Sequence, residues 1–305
     1  MNPDINLKEK VQHGTSHHPI TGLHFANGKN TPYPEYFFVD RHWHSQVEIL
    51  YFTEGRFEVE INLTKHIYEE GDICILNGED LHQIKGLSDR TVHDAILFDE
   101  HILNFSYMDE FEEKCLQPLM NHTFLFPKSI TADDAIYPMV ISCMKKLVES
   151  TQRKESGWYI DSKITLLSFL ALLYNSGKFI AADREGSSSY DKKISYYKTV
   201  VSYMEQHLED HVTLQDLADA IPCNSQYLCR LFKEVSGLSP IQYFISLRIK
   251  KACHLLSHTS LGVLEIALEC GFDNFSYFIR AFKKQMHFTP GEYRSRYCQK
   301  NEIRG

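Results

Sequence analysis

The stretch IALECGFDNFSYFIRAFKKQMHFTPGEYR, residues 266–294, contains two helical segments joined by a turn. Ile266 and Ala267 belong to the first segment, Gly271 supplies the turn, and the second segment begins near Asn274. Apolar residues recur in the second segment at the spacing of one helix face, and these are Phe278, Ala281, Phe282 and Met286. This part of the chain therefore predicts a helix, a tight turn and a second helix.

The same arrangement occurs a second time, earlier in the chain. A shift of 50 residues superimposes the two copies. The matching pairs are Tyr227 with Tyr277, Arg230 with Arg280, Phe232 with Phe282, Lys233 with Lys283 and Tyr243 with Tyr293. Each copy ends at a serine or threonine followed by proline (239–240 and 289–290), which is typical of a helix N-terminus. We predict one supersecondary unit used twice, at about 213–236 and 262–286, with a helix connecting the two units.

The outward face of each second helix carries polar and basic side chains. In the first unit these are Ser225, Gln226, Arg230 and Lys233. In the second unit they are Asn274, Ser276, Arg280, Lys283 and Lys284. Arginine can bond guanine through two hydrogen bonds, glutamine and asparagine can read adenine, and lysine and serine can hold phosphates. We therefore predict that these residues contact double-stranded DNA. The alternative is that they form the solvated face of a helical bundle.

Residues 190–305 resemble the DNA-binding domain of AraC/XylS-type transcriptional regulators. Residues 266–294 match the C-terminal signature of that family over nearly its whole length. The resemblance implies two helix-turn-helix units that dock in successive major-groove segments, about 10–10.5 bp apart. It also implies contact with RNA polymerase, with activation as the usual mode. Three residues depart from the family pattern. Pro222 and His287 stand where glycine is usual, and Phe275 replaces a common polar residue.

Charge is distributed unevenly along the chain, whose net charge is −8. Residues 1–189 contain 17 lysines and arginines against 28 acidic residues, whereas residues 226–305 contain 12 against 6. This asymmetry indicates a C-terminal part that faces a polyanion. The acidic N-terminal part would repel DNA phosphates, which favours a sensor role for it.

Composition excludes several classes of protein. The 305 residues are long enough for two or three domains, and 43% apolar with 24% charged residues is ordinary for a globular chain. The eight cysteines include no C-x-x-C pair, which favours reduced thiols over disulfides or a zinc finger. No apolar run is long enough for a membrane span, and the first ten residues are polar and mixed in charge. We therefore expect a cytoplasmic protein without a membrane partner.

The N-terminal part changes from strand to helix periodicity. Gln46–Phe52, Arg56–Leu63 and Asp72–Leu76 predict short strands of a sandwich or barrel. A helical apolar stripe follows, made of Ile136, Met139, Val140, Cys143, Met144, Leu147 and Val148. A second, more apolar helix covers 164–173, and small and charged residues at 181–189 predict a linker. The helical hairpin covers the barrel in one interpretation and forms a dimer surface in the other, which the resemblance favours.

A histidine motif lies at the start of the predicted strands. His42, Trp43, His44 and Glu48 fit H-x-H-x3-E, and His82 follows later in the chain. This pattern resembles the motifs of cupins, and AraC-type regulators often carry a cupin-like sensor barrel; in cupin enzymes the matching residues bind a divalent metal. Three imidazoles and a carboxylate suit a first-row metal. The other interpretation, which we adopt, is that these residues line an effector pocket or pack inside the barrel.

The predicted fold is therefore an α+β chain of two domains, a cupin-like β-barrel with a helical hairpin and an all-α double helix-turn-helix domain. We assign 1–130 to effector sensing, 131–180 to the hairpin, 181–189 to the linker and 190–305 to DNA binding. We predict a cytoplasmic, homodimeric transcriptional regulator, an activator by resemblance, without cofactor or bound metal. Its small-molecule effector binds at His42, Trp43, His44, Glu48 and His82. Sugars are the commonest effector class by resemblance, although no residue specifies one. The alternative function is a metal-dependent cupin enzyme with a helical assembly domain.

Overall fold

The computed structural model describes residues 7–9, 13–27, 37–105, 107–182 and 189–297. The chain divides into two compact units, one within Lys8–Tyr190 and one within Asp191–Gly305. Most of the predicted linker 181–189 lies outside the described residues. No helix in the described ranges combines the length and apolarity needed to cross a bilayer.

The first unit is built around two antiparallel sheets. Its strands are β1 (Ile20–Ala26), β2 (Phe38–His42), β3 (Val47–Glu54), β4 (Phe57–Ile61), β5 (Thr64–Tyr68), β6 (Ile73–Leu76), β7 (His82–Gly86), β8 (Val92–Phe98), β9 (Phe124–Leu125), β10 (Ser129–Ile130) and β11 (Ile180–Ala181). One sheet has the order β1-β8-β3-β6-β10 and the other has the order β2-β7-β4-β5. Strands β9 and β11 form a separate pair. Apolar side chains of both large sheets share one core, which confirms the predicted cupin-like barrel.

Strand β3 decides which side chains enter the barrel. Successive side chains of a strand point to opposite faces of the sheet. Leu50 and Phe52 belong to the core between the two sheets, whereas Val47 and Ile49 belong to a second core outside the barrel. Glu48 shares the alternation of Leu50 and Phe52, so its carboxylate is directed into the barrel.

Helices cover the outer face of the five-stranded sheet. A 3-10 turn (Glu100–Leu103) is followed by a π-helical turn (Glu112–Leu116) that runs into α1 (Gln117–Met120). Helices α2 (Tyr137–Arg153) and α3 (Trp158–Asn175) form the predicted hairpin and pack against the outer core. Met139 was predicted in the apolar stripe of α2, but its side chain is 50% exposed. The stripe that packs is narrower than the sequence indicates.

Every regular element among the described residues of the second unit is a helix. Its helices are α4 (Ser189–Gln206), α5 (Leu214–Asp219), α6 (Ser225–Ser236), α7 (Pro240–His258), α8 (Val263–Glu269), α9 (Phe275–Met286) and α10 (Pro290–Tyr297). Helices α5 and α6 form the first helix-turn-helix, α8 and α9 form the second, and α7 connects them. The double helix-turn-helix fold predicted from the sequence is confirmed.

Arg248 of α7 binds elements of both helix-turn-helix units. Its Nε donates to the Leu208 carbonyl at 2.8 Å and its guanidinium also donates to the Asp210 carbonyl at 2.6 Å. The same group stacks on the rings of Phe244, at 4.4 Å, and Phe272, at 5.7 Å. The connecting helix is therefore held both to the loop before α5 and to the turn after α8.

Candidate functional site

Helices α6 and α9, the second helix of each helix-turn-helix, both begin after an asparagine that caps the helix N-terminus. The Asn224 Oδ1 accepts from the Tyr227 amide at 2.8 Å, and the Asn274 Oδ1 accepts from the Tyr277 amide at 2.9 Å. Such caps satisfy amides that have no partner within the helix. The two helices α6 and α9 therefore start at equivalent positions of the 50-residue repeat.

The helices that precede them are also capped by their own sequence. The Thr213 Oγ1 accepts from the Asp216 amide at 3.2 Å, while the Asp216 carboxylate accepts from the Thr213 amide at 2.8 Å. In the second unit the Glu265 carboxylate accepts from the Gly262 amide at 2.6 Å. These bonds fix where α5 and α8 begin.

A glycine shapes the turn of the second unit. Gly271 has φ +74°, a left-handed conformation, and a Cβ built there would lie 2.5 Å from the Leu208 carbonyl oxygen. Only glycine fits this turn without strain. The first unit has Pro222 in its shorter turn and needs no such conformation, since no residue from 214 to 236 has positive φ.

The structure places the predicted DNA-contact residues on one open surface in each unit. Gln226, Arg230, Ser276, Arg280, Lys283 and Lys284 are exposed. Within the described residues, none of these six side chains forms a hydrogen bond, ion pair or ring contact. Side chains without intramolecular partners keep their hydrogen-bonding groups available for a ligand.

Three predicted contact residues also have structural roles. The half-buried Ser225 donates to Gln215 of α5 at 3.2 Å, and Lys233 donates to the Gly237 carbonyl at 2.6 Å. Asn274 uses its side-chain oxygen as the helix cap, which leaves only its amide group outward. Substitution at these positions would therefore change helix stability as well as any contact with DNA.

Two further residues lie on these surfaces outside the predicted set of DNA contacts. Cys229 lines a shallow groove together with Leu214, Ser225, Gln226 and Arg230. Phe275 opens α9 and is 40% exposed. The signal that could have found Cys229 is its position three residues after Gln226, about one helical turn further along the same face.

The histidine motif folds into one cluster inside the first unit. His42, His44 and His82 each place one ring nitrogen within 4.8 Å of a ring nitrogen of the other two. The Nδ1 atoms of these three residues lie 2.8, 2.9 and 2.9 Å from the backbone carbonyls of Asp40, Gln46 and Asp80. A carbonyl only accepts, so each Nδ1 carries a hydrogen and each Nε2 is directed elsewhere.

Glu48 connects two of these rings. Its Oε2 lies 3.3 Å from His44 Nε2 and 3.4 Å from His82 Nε2. Burial acts to lower the pKa of His44, but the hydrogen bond and the charge of Glu48 outweigh it and raise that pKa above its ordinary value. The cluster is thus a polar, charged site among otherwise apolar barrel residues.

Two residues of the N-terminal segment complete the cluster, and the sequence did not identify them. Glu9 Oε2 lies 3.2 Å from His13 Nε2 and 3.8 Å from His42 Nε2. Burial acts to raise the pKa of Glu9, but the His13 hydrogen bond and the charges of His42, His13 and His44 lower it overall. The segment is attached through its backbone, because the Glu9 amide donates to the Trp43 carbonyl at 2.9 Å. No periodicity links Glu9 to a motif 33 residues later.

Trp43 differs from its two neighbours. It is only 2% exposed, and alternation along an extended chain directs it away from the rings of His42 and His44. Barrel packing, the other interpretation of this residue, is therefore favoured over stacking on an effector.

The donor atoms present fit a first-row metal. Two ligands bound at about 2.1 Å to one ion are at most about 4.2 Å apart, and about 3.4 Å apart in a tetrahedral site. The distances from Glu48 Oε2 to the two Nε2 atoms, 3.3 and 3.4 Å, match that geometry. Histidines whose other nitrogen donates to a backbone carbonyl are typical metal ligands.

Known proteins match both units. A model described as an AraC-like ligand binding domain matches residues 28–98, and one described as a helix-turn-helix domain matches residues 217–296. The HTH-type transcriptional regulator YdeC of Bacillus subtilis is 27% identical over 293 residues, which covers 95% of this chain and 97% of YdeC. The transcriptional activator RhaS of an Enterobacter species is 23% identical over 253 residues, covering 83% and 86%.

This chain belongs to the AraC family. A solved transcriptional regulator of Chromobacterium violaceum with an AraC-type DNA-binding domain is 30% identical, covering 36% of this chain and 97% of its own, with a TM-score of 0.34. The two family matches and the relatives together identify an AraC-family transcriptional regulator with a ligand-binding domain and a DNA-binding domain. The relatives it matches are named as transcriptional regulators, which favours regulation over the alternative of a metal-dependent cupin enzyme.

Proposed function

We propose that this AraC-family regulator reads a two-part DNA site with α6 and α9 in successive major-groove segments. The observation that supports this most is the repeated surface of polar and basic side chains without intramolecular partners. Arg230 and Arg280 occupy equivalent positions 50 residues apart, each in the second turn of its recognition helix. The two arginines would each bond a guanine, and Gln226 and Ser276 would contact neighbouring bases or phosphates.

Substitution of either arginine tests this assignment. Arg230→Ala or Arg280→Ala should weaken binding to a fragment selected by the wild-type chain by about 1–3 kcal/mol. Binding to unrelated DNA should change far less, because one lost charge removes only one phosphate-like contact. Fluorescence anisotropy at fixed salt measures both affinities. Arg90→Ala, which removes an arginine 74% exposed in the first unit, is the matched control. Lower thermal stability at unchanged affinity would make the two arginines structural.

Activation of transcription through RNA polymerase, in the cytoplasm, is the regulatory outcome we propose. RhaS, which is similar to this chain over 83% of its length, is named an activator. A regulator of this kind needs a ligand that binds its active and inactive states unequally.

We propose that a small molecule binds at the cluster of His42, His44, Glu48 and His82. A few convergent polar groups in an apolar enclosure are typical of ligand sites. A sugar, the class that the resemblance implies, would hydrogen-bond to the carboxylate and imidazoles through its hydroxyl groups.

The effector site is tested with His44→Ala. A panel of monosaccharides is expected to contain one that shifts the unfolding temperature of the wild-type chain and changes its affinity for DNA. His44→Ala should bind DNA normally without that sugar and show neither response, because its ring lies within the cluster. An unchanged response would remove His44 from the effector site.

A homodimer completes the proposed function. The hairpin leaves apolar side chains in water on α2 and α3, which are Met139, Ile160 and Ile164, at 50%, 56% and 55% exposed. A second copy that covers this face would bring two DNA-binding units to one operator.

A further inference from the structure

Two carboxylates, those of Glu48 and Glu9, lie among the three histidines of the cluster. Glu48 has a side chain 9% exposed and Glu9 one that is 23% exposed. The Nδ1 atoms of the three surrounding histidines lie against backbone carbonyls, so their Nε2 atoms are left to face the carboxylates. Imidazole nitrogens and carboxylates that converge in this way can share a cation, which replaces the protons between them.

Distances within the cluster place Glu9 within range of such a cation. Its Oε2 is 3.8 Å from His42 Nε2, inside the separation of about 4.2 Å that two ligands of one first-row ion can have. Glu48 satisfies the same condition toward His44 and His82. The three imidazoles themselves need to approach by about half an ångström, because their ligand atoms span up to 4.8 Å.

The charges of these groups also match a divalent ion. Three neutral imidazoles and one carboxylate leave a bound divalent cation with one positive charge in a buried site. A second carboxylate cancels it, which lowers the cost of burying the ion. Imidazole nitrogen with carboxylate oxygen selects Mn²⁺, Fe²⁺, Co²⁺, Ni²⁺ or Zn²⁺ over Mg²⁺, which prefers oxygen and water.

We propose that Glu9 is a fifth ligand of a first-row divalent cation bound by His42, His44, Glu48 and His82, so that the cation fastens the N-terminal segment to the barrel. This departs from the expectation, made from the sequence, of no bound metal. The proposal rests on the proposed function only in that both place a bound ligand at this cluster of side chains. When no cation is bound, His13 holds Glu9 through the 3.2 Å contact. Binding of the cation exchanges that partner for the ion, and the backbone bond from Glu9 to Trp43 then becomes part of the cation site.

The segment is therefore the part of the site that can respond to occupancy. Lys8 forms a parallel bridge with Trp43, and the Glu9 amide bonds the Trp43 carbonyl. These contacts attach the segment next to His42 and His44, and the Gln46 side chain adds a hydrogen bond to the His13 carbonyl at 3.2 Å. A metal–carboxylate bond at Glu9 would strengthen that attachment directly.

Calorimetric titration of the chelator-treated full-length protein with Zn²⁺ and Mn²⁺, with Mg²⁺ as the unfavoured ion, tests the site. The wild-type chain should bind one equivalent of Zn²⁺. His82→Ala should weaken binding at least a hundredfold and Glu9→Gln about tenfold. Glu113→Gln, an exposed carboxylate elsewhere in the same unit, should have no effect. Hydrogen exchange of the Glu9 amide should slow when Zn²⁺ binds wild type, and should not slow in Glu9→Gln.

Three results would overturn the proposal. The protein would bind neither Zn²⁺ nor Mn²⁺, Glu9→Gln would bind Zn²⁺ as tightly as wild type, or the hydrogen-exchange rate of the Glu9 amide would be the same with and without the cation. If no metal binds, the proposed binding of a sugar at the cluster can still be tested by itself with the panel of monosaccharides. Conversely, tight Zn²⁺ binding that depends on Glu9 but leaves DNA affinity unchanged supports the cation site and contradicts its role as the effector site.

Discussion

His93 lies on β8 inside the barrel, 1% exposed, among phenyl rings. Its ring stacks on Phe25 at 4.9 Å and meets the edges of Phe37 and Phe57 at 4.7 and 5.3 Å. Within the described residues neither ring nitrogen has a hydrogen-bond partner. Burial, with a smaller contribution from His24, lowers the pKa of His93 to about 3. The folded chain thus excludes a proton that the unfolded chain accepts.

This single residue should make the first unit sensitive to acid. The unfolded imidazole has a pKa of about 6.5, so between about pH 6.5 and 3 the unfolded state binds one proton more. The free energy of unfolding should therefore fall with decreasing pH by up to about 1.4 kcal/mol per unit. His93→Phe should make that slope shallower by this amount, whereas His101→Gln, at an exposed histidine, should leave it unchanged.

Urea unfolding at several pH values, followed by tryptophan fluorescence, measures this slope. Both tryptophans of the chain, Trp43 and Trp158, belong to the first unit, so the signal reports that unit alone. Equal slopes in His93→Phe and wild type would contradict the assignment of acid sensitivity to His93.

Helix α3 has one buried and one exposed apolar face. In the sequence the two faces cannot be told apart, because the whole segment is apolar. Leu166, Phe169, Leu170 and Leu173 are buried in the outer core. Ile160 and Ile164, one turn apart, project from the opposite face into water. An apolar pair of this kind on a helix that already has a packed face is the element that we expect to dimerise.

The dimer proposal is tested by charge on that face. Ile160→Glu combined with Ile164→Glu should convert a dimer into a monomer, because burying two carboxylates against apolar side chains is strongly unfavourable. Circular dichroism should stay unchanged, since both side chains are exposed in the isolated chain. Gln152→Glu, at an exposed position of α2, is the control. Light scattering that shows one mass for all variants would place the interface elsewhere.

Local signals predicted the recognition elements well. The caps of α5 and α7 and the turn at Gly271 follow from hydroxyl, proline and glycine positions in the repeat. His287, which departs from the usual glycine, adopts φ +62° where its counterpart Gly237 has +74°. The left-handed helix ending is therefore kept in spite of the side chain, since surrounding contacts outweigh its cost of about 1–2 kcal/mol.

Long-range contacts were beyond the sequence for a physical reason. Glu9 and His13 reach the cluster because a backbone bond to Trp43 brings the segment there, and no periodic pattern encodes such a bond. Met139 matched the apolar stripe of α2, yet the curvature and position of the sheet decide how wide a stripe is covered. The motif residues meet because the antiparallel pairing of β2 with β7 sets His42 opposite His82, while strand alternation turns Glu48 of β3 into the barrel.

At the scale of the whole molecule, the two units divide sensing and DNA binding by charge as well as by fold. Residues 226–305 contain 12 basic and 6 acidic residues, whereas residues 1–189 contain 17 and 28. The basic unit supplies attraction to phosphates, which should make DNA affinity fall steeply with salt. The acidic unit contributes the buried polar cluster, whose ligand would shift the protein between states of unequal DNA affinity.

Selection of genomic DNA fragments by the full-length protein tests paired recognition by α6 and α9. We expect one enriched motif with two blocks about 10 bp apart, because the two helices would read successive turns of the major groove. Arg280→Ala should retain one block and lose the other. Two results would contradict paired recognition by the two helices. One is DNA binding that weakens with salt but shows no sequence preference, and the other is enrichment of a single block that neither Arg230→Ala nor Arg280→Ala changes.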